Sequence, residues 1–315
     1  MGRDHSQCQS QDRLVGTRAA MKRARRSARH VRARCAGKRG VAQSCVTLSD
    51  GTKLHYRERG TGPVVILLHG GMGAMTSWEA QLAAIGRCFR VIAYSRRNSH
   101  PNINPLRIAR DPAAADVADL TEFMHALDID RAHLVGTSYG ALIALKFGLV
   151  CPTHTLSLVL CEPPVHAWVK EFSASTAEHD RFMRDIWESA VACFRRRQSR
   201  RAMTILSTAF GGSENTSSRV ATRSLFQSAR AMKALALSEQ PFARLDPAAV
   251  GKLRIPTLVL RGEVTDELHT LGAAELARRV TDCRTAVIAA AGHRSSIENP
   301  NEFNRVVLAF LESVA

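Results

Sequence analysis

The chain contains no apolar run approaching the ~18 or more residues of a membrane span, so no spanning helix is expected. None of its eight cysteines is spaced as CxxC, and no Cys/His cluster has zinc-ligand spacing. That leaves no sequence basis for a redox motif or a structural zinc. Several cysteines sit inside apolar runs, as Cys161 does in LVLCE. They read as buried free thiols in a reducing compartment, hence a cytoplasmic setting. No internal repeat is present. The segment MKRARRSARHVRARCAGKRG (21–40) has almost no apolar residues and no acids, so it cannot bury a face. Residues 1–44 carry 12 Lys/Arg against two acids, a net of +10, whereas the rest carries 32 against 26, a net of +6. The basic character is therefore that of a tail, expected to be disordered. Such a run can grip phosphates or an anionic surface, and it also resembles an Arg-rich transit sequence without a secretory core. The plainest expectation is a solvated leader. The remainder, only mildly basic and without a reading motif, is not expected to bind nucleic acid specifically.

With 315 residues and 45% hydrophobic content, a sizeable core can form. CVTLSDGTKLHYRERG reads as two strands joined at Asp50-Gly51, a hairpin signal. PVVILLHGG (63–71) is a continuous apolar run ending in glycines, as expected of a strand buried on both faces. FRVIAYS, RAHLVG, TLSLVLC, PTLVLRG (256–262) and TAVIAA (285–290) extend the strand series. Helices are predicted between them. One carries Val117, Leu120, Met124 and Leu127, another is YGALIALKFGLV, a third lies near 271–280, and a closing helix aligns Phe303, Val306, Val307, Phe310 and Leu311. Alternating strands and helices predict an α/β class with a mostly parallel central sheet flanked by helices. The stretch 165–250 is too long for one crossover. It contains amphipathic pattern, such as Phe182, Ile186, Ala190 and Phe194, and is expected to be a helical cap over the strand C-termini, where ligands sit in open α/β sheets. The core is then 45–164 plus 251–315.

The chemistry centres on Gly136-Thr137-Ser138-Tyr139-Gly140, a G-x-S-x-G placed between a strand and a helix. A serine on so sharp a turn projects its hydroxyl above the sheet, so Ser138 is the candidate nucleophile. A serine hydroxyl needs a base. His293, in AAAGHRSSIENP after the last strand, alone fits the chain order. His69 comes too early, and His133, His154, His166, His179 and His269 have no comparable context. An acyl-transfer oxyanion needs preorganised donors. The backbone N–H groups of Gly71, in HGGMG, and Tyr139 are the expected pair.

DGTKLHYRERGTGPVVILLHGGMG, LVGTSYGALIA and GHRSSIENPNEFNRVVLAFL together resemble the α/β-hydrolase fold superfamily, across residues 46–315. The resemblance implies a serine hydrolase with a helical cap and no metal or organic cofactor. It also implies an acid after the next-to-last strand, in Gly-Glu-x-Asp. Here the chain reads Gly262-Glu263-Val264-Thr265-Asp266, so Thr265 stands at that position and Asp266 one residue later. Some members carry the acid after the strand that follows the nucleophile helix, where Glu162 stands. Asp266 and Glu162 are both retained as candidates, only one of which can complete the triad; Glu263 is a third option. The family's Asp-Arg-Gly-x-Gly-x-Ser loop is also altered, to YSRRNSHPN, with Ser95 in place of the Asp.

The expected function is hydrolysis of a small ester or lactone through an acyl-enzyme, with a small-molecule substrate as partner. The alternative is a catalytically silent binding or receptor module on the same fold. Ser138 sets the chain apart from dehalogenases and epoxide hydrolases, which carry an Asp nucleophile. Trp168, Phe182, Trp187 and Phe210 are either pocket-lining or core residues, with helical spacing favouring core.

Overall fold

The computed structural model describes residues 33–35, 43–172, 176–211 and 219–315. Among the described residues, nine strands form one sheet: β1 (Ala33–Cys35), β2 (Gln43–Thr47), β3 (Lys53–Arg59), β4 (Val64–Leu68), β5 (Arg90–Tyr94), β6 (Ala132–Thr137), β7 (Thr155–Cys161), β8 (Thr257–Gly262) and β9 (Cys283–Ile288). Their order is β1-β2-β3-β5-β4-β6-β7-β8-β9. β1, β2 and β3 pair antiparallel and β3 joins β5 antiparallel, while β5, β4, β6, β7, β8 and β9 run parallel.

The hairpin forms where Asp50-Gly51 predicts it. Gly51 takes a positive φ of 83°, the Asp50 carboxylate accepts the Thr52 N–H at 3.0 Å, and Thr47 pairs with Lys53. Most of the tail lies outside the described residues. Ala33–Cys35 depart from the expected disorder, pairing with Gln43–Cys45 to add an edge strand.

β4 is an unbroken apolar run, and β5, β6, β7 and β8 are mostly apolar, because the sheet has a core on each face there. Successive residues alternate between the two. Ile66, Leu68, Leu134, Leu158 and Leu160 face the helices Pro112–Ala126 and Tyr139–Val150 and the segment between β7 and β8. Val65, Leu67, Val135, Val159 and Leu260 face Trp78, Leu82 and the closing helix Pro300–Ser313. That helix starts at Asn299, whose side chain accepts the Glu302 N–H, with Pro300 in its first turn, and it buries Phe303, Val307, Phe310 and Leu311.

The described residues between β7 and β8 are largely helical, but the amphipathic run through Phe182 is not one smooth helix. The run containing Phe182 and Ile186 is a π-helical turn, Phe182–Trp187, set between Ala177–Arg181 and Glu188–Arg195. Trp168 is core: it is buried, and its indole N–H donates to the Leu245 carbonyl at 3.0 Å. No helix among the described residues is long and apolar enough to cross a membrane.

Candidate active site

Ser138 sits where β6 turns into the helix Tyr139–Val150, at φ 51° and ψ −124°, a region L-residues rarely occupy. Two glycines make that turn possible. A Cβ on Gly136 would lie 2.5 Å from backbone atoms of Gly140, and a Cβ on Gly140 would collide with the Leu68 carbonyl. The Ser138 N–H donates to the Cys161 carbonyl at 2.7 Å, tying the turn to the end of β7.

Ser138 and His293 line one cavity of about 460 Å³. Its other walls come from the β4 turn (Gly70, Gly71) and from the β7–β8 segment, including Trp187, Phe210, Met232 and Phe242. Of the four aromatic candidates, then, Trp187 and Phe210 reach the cavity. Phe182 packs behind it against Phe210 and Phe242.

Gly71 lines the cavity beside Gly70, whose Cα side lies against Ser138: a Cβ there would be 3.4 Å from the Ser138 Cβ. Tyr139 is the first residue of its helix, so its N–H has no intrahelical acceptor. Neither the Gly71 nor the Tyr139 N–H bonds to a backbone carbonyl among the described residues. The Gly70-Gly71 turn is braced from the altered loop. Arg96 donates to the Gly70 and Gly71 carbonyls at 3.1 and 3.4 Å and pairs with Asp116 at 3.1 Å. Buried His69 accepts the Arg96 N–H at 3.1 Å and bonds the Gly70 carbonyl at 2.8 Å. Burial, then the Arg96 charge, pushes His69 well below the ordinary histidine value, so it is a neutral strut. Ser95 accepts the Met75 N–H at 3.0 Å and donates to the His100 carbonyl at 2.6 Å, closing the loop without the usual Asp.

The two acid candidates separate cleanly in space. The Glu162 carboxylate meets His293 Nδ1 at 2.6 Å. Its other oxygen accepts the Gly262 N–H at 2.8 Å, while Thr265 donates at 3.0 Å to the same oxygen that holds His293. Thr265, at the position the resemblance assigns to an acid, thus hydrogen-bonds the carboxylate that follows β7. Glu162 itself takes a positive φ of 48° ahead of Pro163-Pro164. Burial pushes its carboxyl up, but the His293 hydrogen bond and charge outweigh that and hold it below the ordinary carboxylate value. Burial, then the neighbouring His269, holds His293 below 6.5, against the pull of Glu162.

The Asp266 carboxylate does not reach His293 Nδ1. It caps the helix Glu267–Arg279 by accepting the His269 N–H at 2.9 Å and grips His269 Nδ1 at 2.7 and 2.8 Å. Burial pushes Asp266 up, yet its bonds to His269 bring it down to about 2. Glu263 is occupied too, accepting the Ala290 N–H at 2.8 Å in the loop that carries His293.

Sequence reasoning passed over His269. Its ring packs on His293 with centroids 3.9 Å apart and lines the cavity. The signal available was Asp266-x-x-His269, an N-cap that can also hold a histidine one turn on. Glu162, His269 and His293 place one ligand atom each within 4.8 Å of one another, a set able to hold a metal ion.

Residues 65–306 match the family model described as Alpha/beta hydrolase family. The chain is 36% identical over 112 residues to Epoxide hydrolase 3 of Siraitia grosvenorii, a match spanning only 35% of each protein. It is 24% identical over 251 residues to 3-oxoadipate enol-lactonase 1 of Acinetobacter baylyi, covering 75% of this chain and 84% of that one. Among solved structures, the enol-lactonase from Burkholderia xenovorans LB400 superposes with a TM-score of 0.67 at 19% identity, over 85% of this chain and 99% of that one. At that identity the likeness speaks for the fold alone.

Proposed function

The chain belongs to the alpha/beta hydrolase family, and on that premise we propose that it hydrolyses a small ester or lactone with Ser138 as nucleophile, His293 as base and Glu162 as the third member of the triad. The observation that carries the reading is the 2.6 Å bond from Glu162 to His293 Nδ1, in a cavity that Ser138 also lines. A carboxylate on Nδ1 fixes the tautomer in which Nε2 is the lone-pair nitrogen, and it stabilises the imidazolium formed in turnover. Asp266, occupied with His269, stands outside the triad.

Ser138 Oγ attacks the carbonyl carbon as its proton passes to His293 Nε2. The oxyanion is met by the N–H groups of Gly71 and Tyr139. Collapse breaks the C–O bond to the alcohol, which leaves with the proton from His293. Water, deprotonated by the same histidine, then releases the acid and restores Ser138. In a lactone both halves stay in one molecule, a hydroxy acid or its keto tautomer.

The segment 165–250 acts as the cap in this reading, supplying Trp187, Phe210, Met232 and Phe242 as an apolar wall. A cavity of about 460 Å³ suits a small acyl group. The enol-lactonase relative supports a lactone. The epoxide hydrolase likeness is not carried over as chemistry, because the elbow residue here is serine.

Labelling with a fluorophosphonate, followed by peptide mass spectrometry, tests the nucleophile. Modification confined to Ser138 and lost in Ser138→Ala is expected. An unlabelled protein that also leaves every p-nitrophenyl ester intact would move the silent binding module to the front.

A further inference from the structure

The cavity holds two imidazoles, each fixed by its own carboxylate: Glu162 on His293 Nδ1 and Asp266 on His269 Nδ1. The rings lie 3.9 Å apart between centroids, tilted by 36°. Neither Nε2 makes a hydrogen bond among the described residues, and both rings line the cavity. Serine hydrolysis uses one such histidine and leaves the other without a task.

A histidine whose Nδ1–H is held by a carboxylate is the usual arrangement behind a metal-ligating imidazole. The carboxylate fixes the ring and makes the opposite nitrogen more basic. His269 is a buried side chain with only Asp266 as its polar partner, so this orientation serves no capping need: the Asp266 cap is already satisfied by the His269 backbone N–H. We propose that Glu162, His269 and His293 form a binding site for a borderline transition-metal ion such as Zn²⁺, and that filling it switches hydrolysis off. This rests on the reading of His293 as the base.

Two imidazoles and a carboxylate are a donor set suited to zinc, with bonds of about 2.0–2.2 Å. Zinc would draw the three donor atoms, now within 4.8 Å of one another, onto one centre. With Glu162 among its ligands, the ion takes the place of the proton that Glu162 shares with His293 Nδ1, and that proton moves to Nε2. A histidine protonated on Nε2 can no longer accept the Ser138 proton. The ion is therefore an inhibitor, and hydrolysis itself needs none.

The test compares the parent with His269→Phe, which keeps an aromatic ring beside His293 but removes the ligand, and with Asp266→Asn, which weakens the carboxylate behind it. Zinc chloride is titrated calorimetrically into each full-length protein, and p-nitrophenyl ester turnover is followed in parallel, each against its own metal-free rate. Cysteines elsewhere contribute equally to all three, so differences report this site. Asp266→Asn should bind zinc roughly 10-fold or more weakly, and His269→Phe should lose both the high-affinity isotherm and the inhibition. Identical isotherms and identical inhibition in parent and His269→Phe would overturn the proposal, as would a parent that turns over ester unaffected by zinc. A parent inert on esters whose isotherm still depends on His269 would keep the metal site and sink the hydrolase reading.

Discussion

Glu162 occupies a strained backbone position, φ 48°, and is almost wholly buried at 1% exposure. A buried carboxylate survives there only if its oxygens are satisfied, and Gly262, Thr265 and His293 satisfy them. At this scale the sequence was only partly legible. Ser138 announces itself through its flanking glycines between a strand and a helix, and His293 follows from chain order. The carboxylate partner of His293 does not, because Glu162 meets it across 131 positions of sequence, and the convergence is a property of the sheet. Thr265 stands where the resemblance expects an acid, and its hydroxyl donates to the Glu162 carboxylate. His269 offered only its spacing from Asp266; that its ring lies on His293 shows in the packing alone. A pH prediction belongs here. His293 must be neutral to act as base, and burial with His269 nearby lowers its pKa, so it stays neutral further into acid. The acid limb of kcat/KM for ester should therefore have its midpoint below ~6.5. An acid limb with its midpoint above 7 would contradict that.

The elements were easier to read than the contacts between them. Strands buried on both faces are apolar at most positions, so β4, β6, β7 and β8 stand out in the sequence, and the Tyr139–Val150 helix follows directly from the elbow. Short pieces such as Glu79–Ile85 and Ser295–Glu298 carry too few turns for a period to show. The π-helical turn Phe182–Trp187 breaks the 3.6-residue spacing on which the smooth helix was expected, and Trp187 lies at its end in the cavity wall. The strand–helix junction supplies the element-scale prediction. In Gly140→Ala the new methyl meets Leu68 and His69 backbone, which cannot rotate away. The elbow should lose about 1–3 kcal/mol, seen as a lower Tm, together with most ester turnover. An unchanged Tm would mean the helix can retreat from β4 without cost.

Across the whole molecule, every residue assigned to the proposed chemistry lies between Gly71 and His293. The basic excess lies largely before them, in residues 1–44. Deleting residues 1–32, which stops short of β1, should leave kcat/KM for a neutral ester within about twofold, since the described strands and cavity-lining residues all come from residue 33 onward. A larger loss would tie the tail to the site. The family was legible from motif order, and its substrate preference was not, because the cavity wall is drawn from the β7–β8 segment, where packing residues and lining residues share one amphipathic pattern. Trp168 went to the core and Trp187 to the cavity. The most direct measurement is p-nitrophenyl ester turnover by the parent, Glu162→Gln and Asp266→Asn, under metal-free conditions. A Ser138–His293–Glu162 triad predicts that kcat falls on the order of 10⁴-fold in Glu162→Gln and stays within about tenfold of the parent in Asp266→Asn. Collapse of Asp266→Asn with a nearly intact Glu162→Gln would contradict it.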